Sequence, residues 1–378
     1  MKVAVLTLSL YANYGGNLQA YALLTALKDL GHDAWFLNRE RHKVPFWKVP
    51  PMLTKRLLKR YVLGRRVKIR DGLLDQKERA IVAQHSRRFI AERIQPQTDE
   101  YLSSTALSQH MPGLGFDAVI VGSDQVWRQR FVKSNLTDYF CGFIPESDLR
   151  TRRISYAASF GTAEWEYSPE ETQRCAALAK RFHAISVRED TGVDQCREKF
   201  GVSAEHVVDP TMLLTADRYT QLINEPERRS EGILVYILDL TAEKQKIVDQ
   251  VALQLGLPVF FVNARPEKND ASINGRVAPP VEDWLRGFRD AAFVITDSFH
   301  GTVFAILFNK PFIAYGNATR GMARFSSLLG MFGLLERLVS GADELGDLAN
   351  RPIEWNEVNR KVDSERAKGL EFLRSSLS

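Results

Sequence analysis

Residues 1–38 read MKVAVLTLSLYANYGGNLQAYALLTALKDLGHDAWFLN. A short apolar run predicts a strand over Lys2–Leu8, and apolar residues at helical spacing predict a helix over Leu18–Leu30. A glycine follows that helix, and the next apolar run predicts a strand over Ala34–Leu37. Strand, helix and strand in this order form a β-α-β unit, which is the building block of a parallel sheet.

The same arrangement returns at residues 232–263. There Ile233–Leu238 and Val259–Val262 predict strands. Glu243–Leu255 between them predicts a helix, with Thr241 as its N-cap. Two segments that each open a β-α-β unit indicate an α/β fold with two facing Rossmann-like domains. Further strands are expected at Phe116–Val121, Arg153–Ala157, Ala184–Val187, Val207–Val208, Ala292–Ile295 and Phe312–Ala314.

A chain of 378 residues exceeds what a single hydrophobic core usually serves, which also favours two domains. The polar stretch Tyr219–Glu231 contains a proline and predicts the linker. We therefore place an N-terminal domain at residues 1–218, with a basic insertion at about 39–93. The C-terminal domain is placed at 219–350, and a charged amphipathic helix within 351–378 is expected to pack back across both domains.

The composition is that of an ordinary globular protein, with 44% hydrophobic and 26% charged residues. No run of about 20 apolar residues suggests a transmembrane helix, and the N-terminus lacks the zones of a signal peptide. The three cysteines are scattered, without the spacing of a metal site or a disulfide framework. These features predict a cytoplasmic protein without a bound metal.

The net charge of +5 is unevenly distributed along the chain. The segment Arg39–Arg70 contains twelve lysines and arginines but a single acidic residue, Glu40, so the remaining chain is net acidic. Aromatic and aliphatic residues such as Trp47 and Tyr61 are interleaved with these charges. This mixture favours an anionic membrane surface over nucleic acid as the partner. A surface insertion without a partner is the alternative.

Polar turns follow several predicted strands, and ligands of open parallel sheets bind at such turns. The turn Thr296–Thr302 reads TDSFHGT. A helix is expected to begin near Gly301, with Asp297 or Ser298 as its cap. His300 would then lie at a helix N-terminus, where anions are favoured and where a bound anion would keep the proton on the ring. A capping turn with a structural histidine is the alternative.

Two further turns carry charged side chains directly after apolar strands. Arg188 follows Ala184–Val187, and its planar guanidinium suits a carboxylate or phosphate. A plain surface salt bridge is the alternative, and Glu189 and Asp190 could simply cap the next helix. Asp124 follows Phe116–Val121, and its carboxylate is equally compatible with a general base and with a helix N-cap.

The loop Tyr11–Gln19 contains the pair Gly15-Gly16, and glycines let a backbone approach a ligand closely. Its spacing matches neither a Walker loop nor a dinucleotide fingerprint, so a plain glycine-rich turn is the alternative. Arg320 and Arg324 follow the expected strand Phe312–Ala314 and could reach an anion, although a solvated pair is an equal interpretation.

Taken together, these motifs resemble the polysaccharide pyruvyl transferase family. The segments that carry the resemblance occur in order from about residue 3 to 335: Asn13–Ala20, Gly122–Trp127, Ser159–Gly161, Ser186–Glu189, Asp209–Thr211 and Asp297–Gly301. Many members have Asn-x-Gly-Asp near the N-terminus, whereas this chain has Gly15-Gly16-Asn17. Because of this difference, the role of the family's first loop does not carry over directly to this chain. The difference is compatible with a subgroup of the family that uses another acceptor.

The resemblance implies the two-Rossmann GT-B architecture, with the active site in the interdomain cleft. It also implies phosphoenolpyruvate as donor and a sugar acceptor that receives pyruvate as a cyclic ketal. His300 and Arg188 match family residues associated with donor binding or chemistry, and Asp124 is our candidate base. The remaining candidates for donor or acceptor binding are Asn13, Gly15, Gly16, Asn17, Gln19, Ser123, Ser159, Gly161, Glu189, Ser298, Gly301, Thr302, Arg320 and Arg324.

We expect no cofactor beyond phosphoenolpyruvate and no nucleic-acid partner. The basic segment 39–70 suits an acceptor carried on a lipid diphosphate, which would place the protein at the inner face of the plasma membrane. A glycosyltransferase of the same architecture that uses a nucleotide sugar is the main alternative. A non-catalytic sugar-binding protein of envelope assembly is the second.

Overall fold

The computed structural model describes residues 1–40, 76–223, 232–262, 273–316 and 321–378, together with isolated positions between 50 and 58. Its strands form two parallel sheets. The first sheet contains Lys2–Leu6 (β1), Asp33–Phe36 (β2), Ala118–Val121 (β3), Arg152–Ala158 (β4), Ala184–Val187 (β5) and Glu205–His206 (β6). The second contains Ile233–Tyr236 (β7), Val259–Phe260 (β8), Phe293–Thr296 (β9), Phe312–Tyr315 (β10) and Leu338–Val339 (β11).

Helices connect these strands in the manner of doubly wound folds. They are Tyr14–Asp29 (α1), Gln76–Val82 (α2), Gln84–Arg93 (α3), Ser104–Leu114 (α4), Gln129–Val132 (α5), Pro169–Ala179 (α6), Asp190–Gln195 (α7), Ala216–Thr220 (α8), Ala242–Leu255 (α9), Val281–Asp290 (α10), Phe299–Leu307 (α11), Met322–Phe332 (α12) and Trp355–Leu377 (α13). The strand orders are β2-β1-β3-β4-β5-β6 and β11-β10-β9-β7-β8. The predicted α/β class with two Rossmann-like domains is therefore confirmed.

The central strands are largely apolar and buried because parallel sheets are covered by helices on both faces. All four residues of β3, β7 and β9 are buried. Aromatic rings also join the two halves of the chain: Tyr14 of α1 stacks on Trp284 of α10, with ring centroids 5.5 Å apart. Tyr219 meets Phe304 of α11 edge to face at 4.8 Å. The Tyr14–Trp284 contact packs α1 of the first domain against α10 of the second.

Local sequence signals set several helix ends. The Thr241 side chain accepts a hydrogen bond from the Lys244 amide at 3.3 Å, as expected of an N-cap. Gly256 ends the same helix α9 with a φ of 64°, a left-handed conformation that suits glycine. The last helix α13 lies on the first domain, where Arg366 donates to the Met212 carbonyl at 2.9 Å.

Three local expectations were wrong. Helix α1 begins at Tyr14, so the glycine pair lies in its first turn instead of a loop. A strand was expected at Val207–Val208, but the strand of the structure spans Glu205–His206. After the two valines the chain turns into a 3₁₀ helix at Pro210–Leu213. Tyr219, placed in the linker, is fully buried. Residues 224–231 of that linker lie outside the described residues.

The expected basic insertion is in part integral to the first domain. Arg39 is 3% exposed and forms a 2.8 Å ion pair with buried Asp138, so it does not belong to a basic surface. Phe89 of α3 packs on Tyr21 of α1, with ring centroids 5.9 Å apart. Most of the segment between Arg39 and α2 lies outside the described residues. In the part that the structure describes, no helix is sufficiently long and apolar to cross a membrane.

Candidate active site

The turns that follow β3, β5 and β9 meet between the two domains. They carry Asp124, Arg188 and His300, which the sequence singled out separately. Arg188 and His300 both approach one carboxylate oxygen, Oδ2 of Asp209, at 2.7 Å and 3.6 Å. Asp124 lies on the other side of Arg188, with its Oδ1 3.5 Å from Nη2. The three residues therefore form one buried cluster, because parallel strands present their carboxyl ends at the same edge of a sheet.

His300 is the second residue of α11, a position fixed by the turn before it. Ser298 is the N-cap, and its hydroxyl accepts a hydrogen bond from the Gly301 amide at 3.3 Å. The expected alternative cap, Asp297, instead accepts from Lys244 Nζ at 2.5 Å. His300 is 7% exposed, and among the described residues its Nε2 has no hydrogen-bond partner. A buried donor of this kind is typical of a ligand site.

Gly15 packs directly against the His300 ring. A Cβ atom at this position would lie 2.1 Å from Nδ1 of His300, far inside van der Waals contact. The glycine thus allows the first turn of α1 to rest on the imidazole. A Cβ on Gly16 would meet only the Asn13 side-chain amide, at 3.2 Å. Asn13 itself is exposed at the N-cap position and makes no side-chain capping bond.

Arg188 is almost fully buried, at 3% exposure. Its guanidinium lies over the Phe299 ring, with Cζ 4.4 Å from the centroid. Burial lowers the pKa of Arg188, but Asp209, Asp124 and Glu189 raise it above its ordinary value, so the group is charged. Within the described chain, Nε and Nη2 have no hydrogen-bond partner. A buried cation with two such donors is suited to an anionic ligand.

Asp209 is the centre of the cluster, although we did not select it from the sequence. Its Oδ2 accepts hydrogen bonds from Arg188 Nη1 at 2.7 Å and Ser123 Oγ at 3.1 Å. Its Oδ1 accepts from the Thr211 amide at 3.0 Å and the Thr211 hydroxyl at 2.7 Å. Burial raises the pKa of Asp209, but His300, Arg188 and the Thr211 amide outweigh burial and hold it well below its usual range.

The sequence did contain a signal for Asp209. An acidic residue follows the apolar pair Val207–Val208 and precedes Pro210, which is the same strand-then-polar-turn pattern as at Asp124 and Arg188. We noted Asp209 only as part of the family resemblance. Its partners come from three other segments of the chain, and local patterns do not reveal such contacts.

Glu189 forms a second polar group next to Arg188. Its Oε1 accepts hydrogen bonds from the Ser159 hydroxyl and from the Gly161 amide, the latter at 3.2 Å. Glu189 occupies the N-cap position of α7 without a side-chain capping bond, so the expected capping role is wrong. Its Oε2 has no hydrogen-bond partner in the described part of the chain. A Cβ on Gly161 would lie 2.2 Å from Gln125 Oε1, which explains the glycine.

Arg324 of α12 approaches the same ring as Arg188. It is 6% exposed, and its Cζ lies 5.6 Å from the Phe299 centroid. Burial and the nearby charge of Arg188 lower the pKa of Arg324 to about 10. The second domain thus contributes a buried guanidinium to the cluster. Arg320, the other arginine of the expected pair, lies outside the described residues.

Asn17 and Gln19 are buried in α1, away from solvent. Asn17 Nδ2 donates to the Tyr11 carbonyl at 2.8 Å, and Gln19 Nε2 donates to Thr7 Oγ1 at 3.3 Å. The Thr7 hydroxyl donates in turn to the Ser123 carbonyl at 3.0 Å, which links this helix to the Asp209 cluster. Asn17 Oδ1 and Gln19 Oε1 are buried and have no hydrogen-bond partner among the described residues, so both residues stay candidates for ligand binding.

Two residues of the His300 turn have structural partners. The Thr302 hydroxyl donates to the Ser298 carbonyl at 3.2 Å and is fully buried. A Cβ on Gly301 would lie 2.2 Å from Thr296 Oγ1, so this glycine allows close packing. Across the residues that the structure describes, no three His, Cys, Asp or Glu side chains are grouped as a metal site requires.

A family model described as polysaccharide pyruvyl transferase matches residues 13–319. No curated protein matched the sequence.

Solved structures reveal the architecture. The chain is similar to the S. aureus MnaA-UDP co-structure, with a TM-score of 0.51, 12% identity and coverage of 96% of this chain and 91% of that chain. It is also similar to Arabidopsis thaliana UGT89C1 complexed with quercetin, with a TM-score of 0.50, 12% identity and 98% coverage of each chain. At this identity the likeness shows the fold alone, which is the predicted GT-B architecture.

Proposed function

The chain belongs to the polysaccharide pyruvyl transferase family, and from this premise we propose that it transfers the pyruvyl group of phosphoenolpyruvate to two hydroxyls of a saccharide, forming a cyclic ketal. The observation that carries the proposal is the cluster of buried cationic donors between the domains. Arg188 Nε and Nη2 and His300 Nε2 have no hydrogen-bond partner among the described residues. Phosphoenolpyruvate carries a carboxylate and a phosphate, the two anions that such donors bind.

The two arginines suit a donor with two anionic groups. Arg188 and Arg324 approach the Phe299 ring at 4.4 Å and 5.6 Å. Burying two cations close together is costly unless anions compensate them. Arg188 is already paired with Asp209. We propose that these two guanidinium groups hold the donor carboxylate and phosphate, which also orients the donor for reaction.

The reaction needs an acid, an electrophile and a base. In our proposal His300 protonates the methylene carbon of the donor, which makes the central carbon an oxocarbenium-like electrophile. The first saccharide hydroxyl attacks this carbon and gives its proton to Asp124. The carbon–oxygen bond to phosphate then breaks, and the departing phosphate takes the proton from Asp124. The second hydroxyl closes the ketal, and its proton returns to His300. Positioned proton transfer of this kind contributes about 10²–10⁴-fold in rate.

The proposal requires no cofactor beyond the donor. We further propose that the acceptor is a lipid-diphosphate-linked precursor of a cell-surface polysaccharide. The support is the basic, aromatic-rich composition of the segment that follows Arg39. Sedimentation with anionic vesicles tests this point. Replacement of the lysines and arginines of residues 41–70 by glutamine should abolish vesicle binding. Unchanged binding would show that this segment does not attach the protein to the membrane.

The test of the function is a transfer assay. The purified chain is incubated with ¹⁴C-labelled phosphoenolpyruvate and a pool of lipid-linked and free saccharides, and a parallel reaction contains labelled nucleotide sugars. We expect the label of phosphoenolpyruvate in an acid-labile saccharide adduct, together with release of inorganic phosphate. Transfer from a nucleotide sugar alone would favour a glycosyltransferase. If calorimetry detects binding of neither donor, a non-catalytic sugar-binding role is favoured.

A further inference from the structure

Asp209 occupies the contact point between the two domains. It is 1% exposed and belongs to the first domain, as does Arg188, whereas His300 belongs to the second. Both of its oxygens already have partners, since Oδ1 accepts from Thr211 and Oδ2 from Arg188 and Ser123. The carboxylate is thus fixed in place and saturated, which leaves it unsuited to contact a substrate directly.

The surroundings of His300 would oppose a positive charge without Asp209. The ring lies in the first turn of α11 and against Gly15 in the first turn of α1, and helix N-termini disfavour a cation. Arg188 after β5 and Arg324 of α12 add two positive charges beside the neighbouring Phe299. The opposing charges are the carboxylates of Asp209, of Asp124 after β3, which pairs with Arg188, and of Glu189, which acts on both arginines.

We propose that Asp209 is a positioning residue with two effects. Its carboxylate keeps the proton on His300, the acid, and it holds Arg188, which binds the donor anion. This inference rests on the proposed function. Without Asp209, His300 would lose its proton more readily and could not act as the acid. Arg188 would lose the 2.7 Å bond that fixes its guanidinium under the donor.

The distance of 3.6 Å between His300 Nε2 and Asp209 Oδ2 exceeds a hydrogen bond but lies within the range of an ion pair. At this separation the charge of the Asp209 carboxylate favours the protonated form of the His300 ring.

The test is Asp209→Asn, which preserves size and removes the charge. We expect a fall in kcat of about 10²-fold or more at neutral pH. The pH–rate profile should shift to lower pH, so that activity partly recovers in acid. In NMR titrations, with the His300 signal assigned from its loss in His300→Gln, the ring should lose its proton at a lower pH than in the wild-type protein. The NMR titration can be carried out without the donor.

Ser123→Ala is the matched control. It removes a neutral hydrogen bond from the same Oδ2 oxygen and leaves the charge, so we expect a smaller fall in rate and an unshifted pH profile. If the wild-type protein transfers no pyruvyl group, the proposed function fails, and the NMR titration still decides the role of Asp209. An active wild-type protein whose pH profile and His300 titration are unaffected by Asp209→Asn would overturn the inference.

A stability measurement covers the case in which Asp209→Asn does not fold. His300 is one of the groups that hold the pKa of Asp209 below its ordinary value, so the stabilisation from this carboxylate is present above about pH 4 and is lost as the pH falls below it. His300→Gln removes that group and should therefore lose less stability between pH 6 and pH 3 than the wild-type protein in urea unfolding. Parallel curves for the two proteins would contradict the pairing.

Discussion

A Cβ atom on Gly15 would lie 2.1 Å from Nδ1 of His300, so the first helix of one domain rests on the imidazole of the other. The glycine pair is thus a contact between domains, although its composition is typical of a loop. A side chain at residue 15 would displace the ring, so the position of His300 depends on the glycine.

Gly15→Ala should impair catalysis more than folding. Alanine favours the helix by about 1 kcal/mol, whereas the added methyl group overpacks the contact at a cost of about 1–3 kcal/mol. We expect a modest change in thermal unfolding but a fall in transfer rate of about 10²-fold, because displacement of a reacting group by about 1 Å is enough for such a loss. Gly16→Ala, whose Cβ meets a flexible amide at 3.2 Å, should retain most activity. Equal effects of the two variants would contradict the assignment.

Arg188→Lys should weaken donor use even though the charge is kept. Lysine cannot reproduce the forked donors that reach Asp209 and a donor anion together. We expect kcat/KM for phosphoenolpyruvate to fall about 30- to 150-fold, which corresponds to about 2–3 kcal/mol for lost charge-assisted hydrogen bonds. Arg197→Lys alters a side chain that is 66% exposed and serves as the control, with unchanged steady-state kinetics. An unimpaired Arg188→Lys enzyme would exclude a forked contact.

Asp209 should make the stability of the protein depend on pH. Its folded-state pKa lies below the ordinary value of 3.8, so its contribution is present above that value and is lost as the pH falls below about 4. Urea unfolding between pH 6 and pH 3 should show a smaller loss of stability in Asp209→Asn than in the wild-type protein. Parallel curves for the two proteins would show that the buried carboxylate is not stabilised as an anion.

Phe299→Leu should reduce donor affinity. The ring lies beside two guanidinium groups, those of Arg188 and Arg324, and a desolvated cation–π contact contributes about 1–2 kcal/mol. We expect an increase of about 5- to 30-fold in the Kd for phosphoenolpyruvate by calorimetry. Phe332→Leu removes a buried ring from the last turn of α12 and should lower stability without this loss of affinity. If both variants bind the donor equally, the ring has only a packing role.

The sequence by itself determined the class of fold and the turns that carry the chemistry. Apolar runs, helical spacing and end signals such as Thr241 and Gly256 are local, because each depends on neighbours within a few residues. Asp124, Arg188 and His300 were found in the same way, as polar residues at the ends of apolar strands. That rule works because parallel strands place their carboxyl ends together.

The tertiary structure alone decided which side chains share the site. It placed Asp209 between Arg188 and His300, set Phe299 beside two arginines, and replaced the expected loop at Gly15 by a helix that packs on His300. These contacts join segments far apart in the chain and in different domains. They depend on how the two sheets face each other, and packing between distant elements leaves no periodic pattern in the sequence.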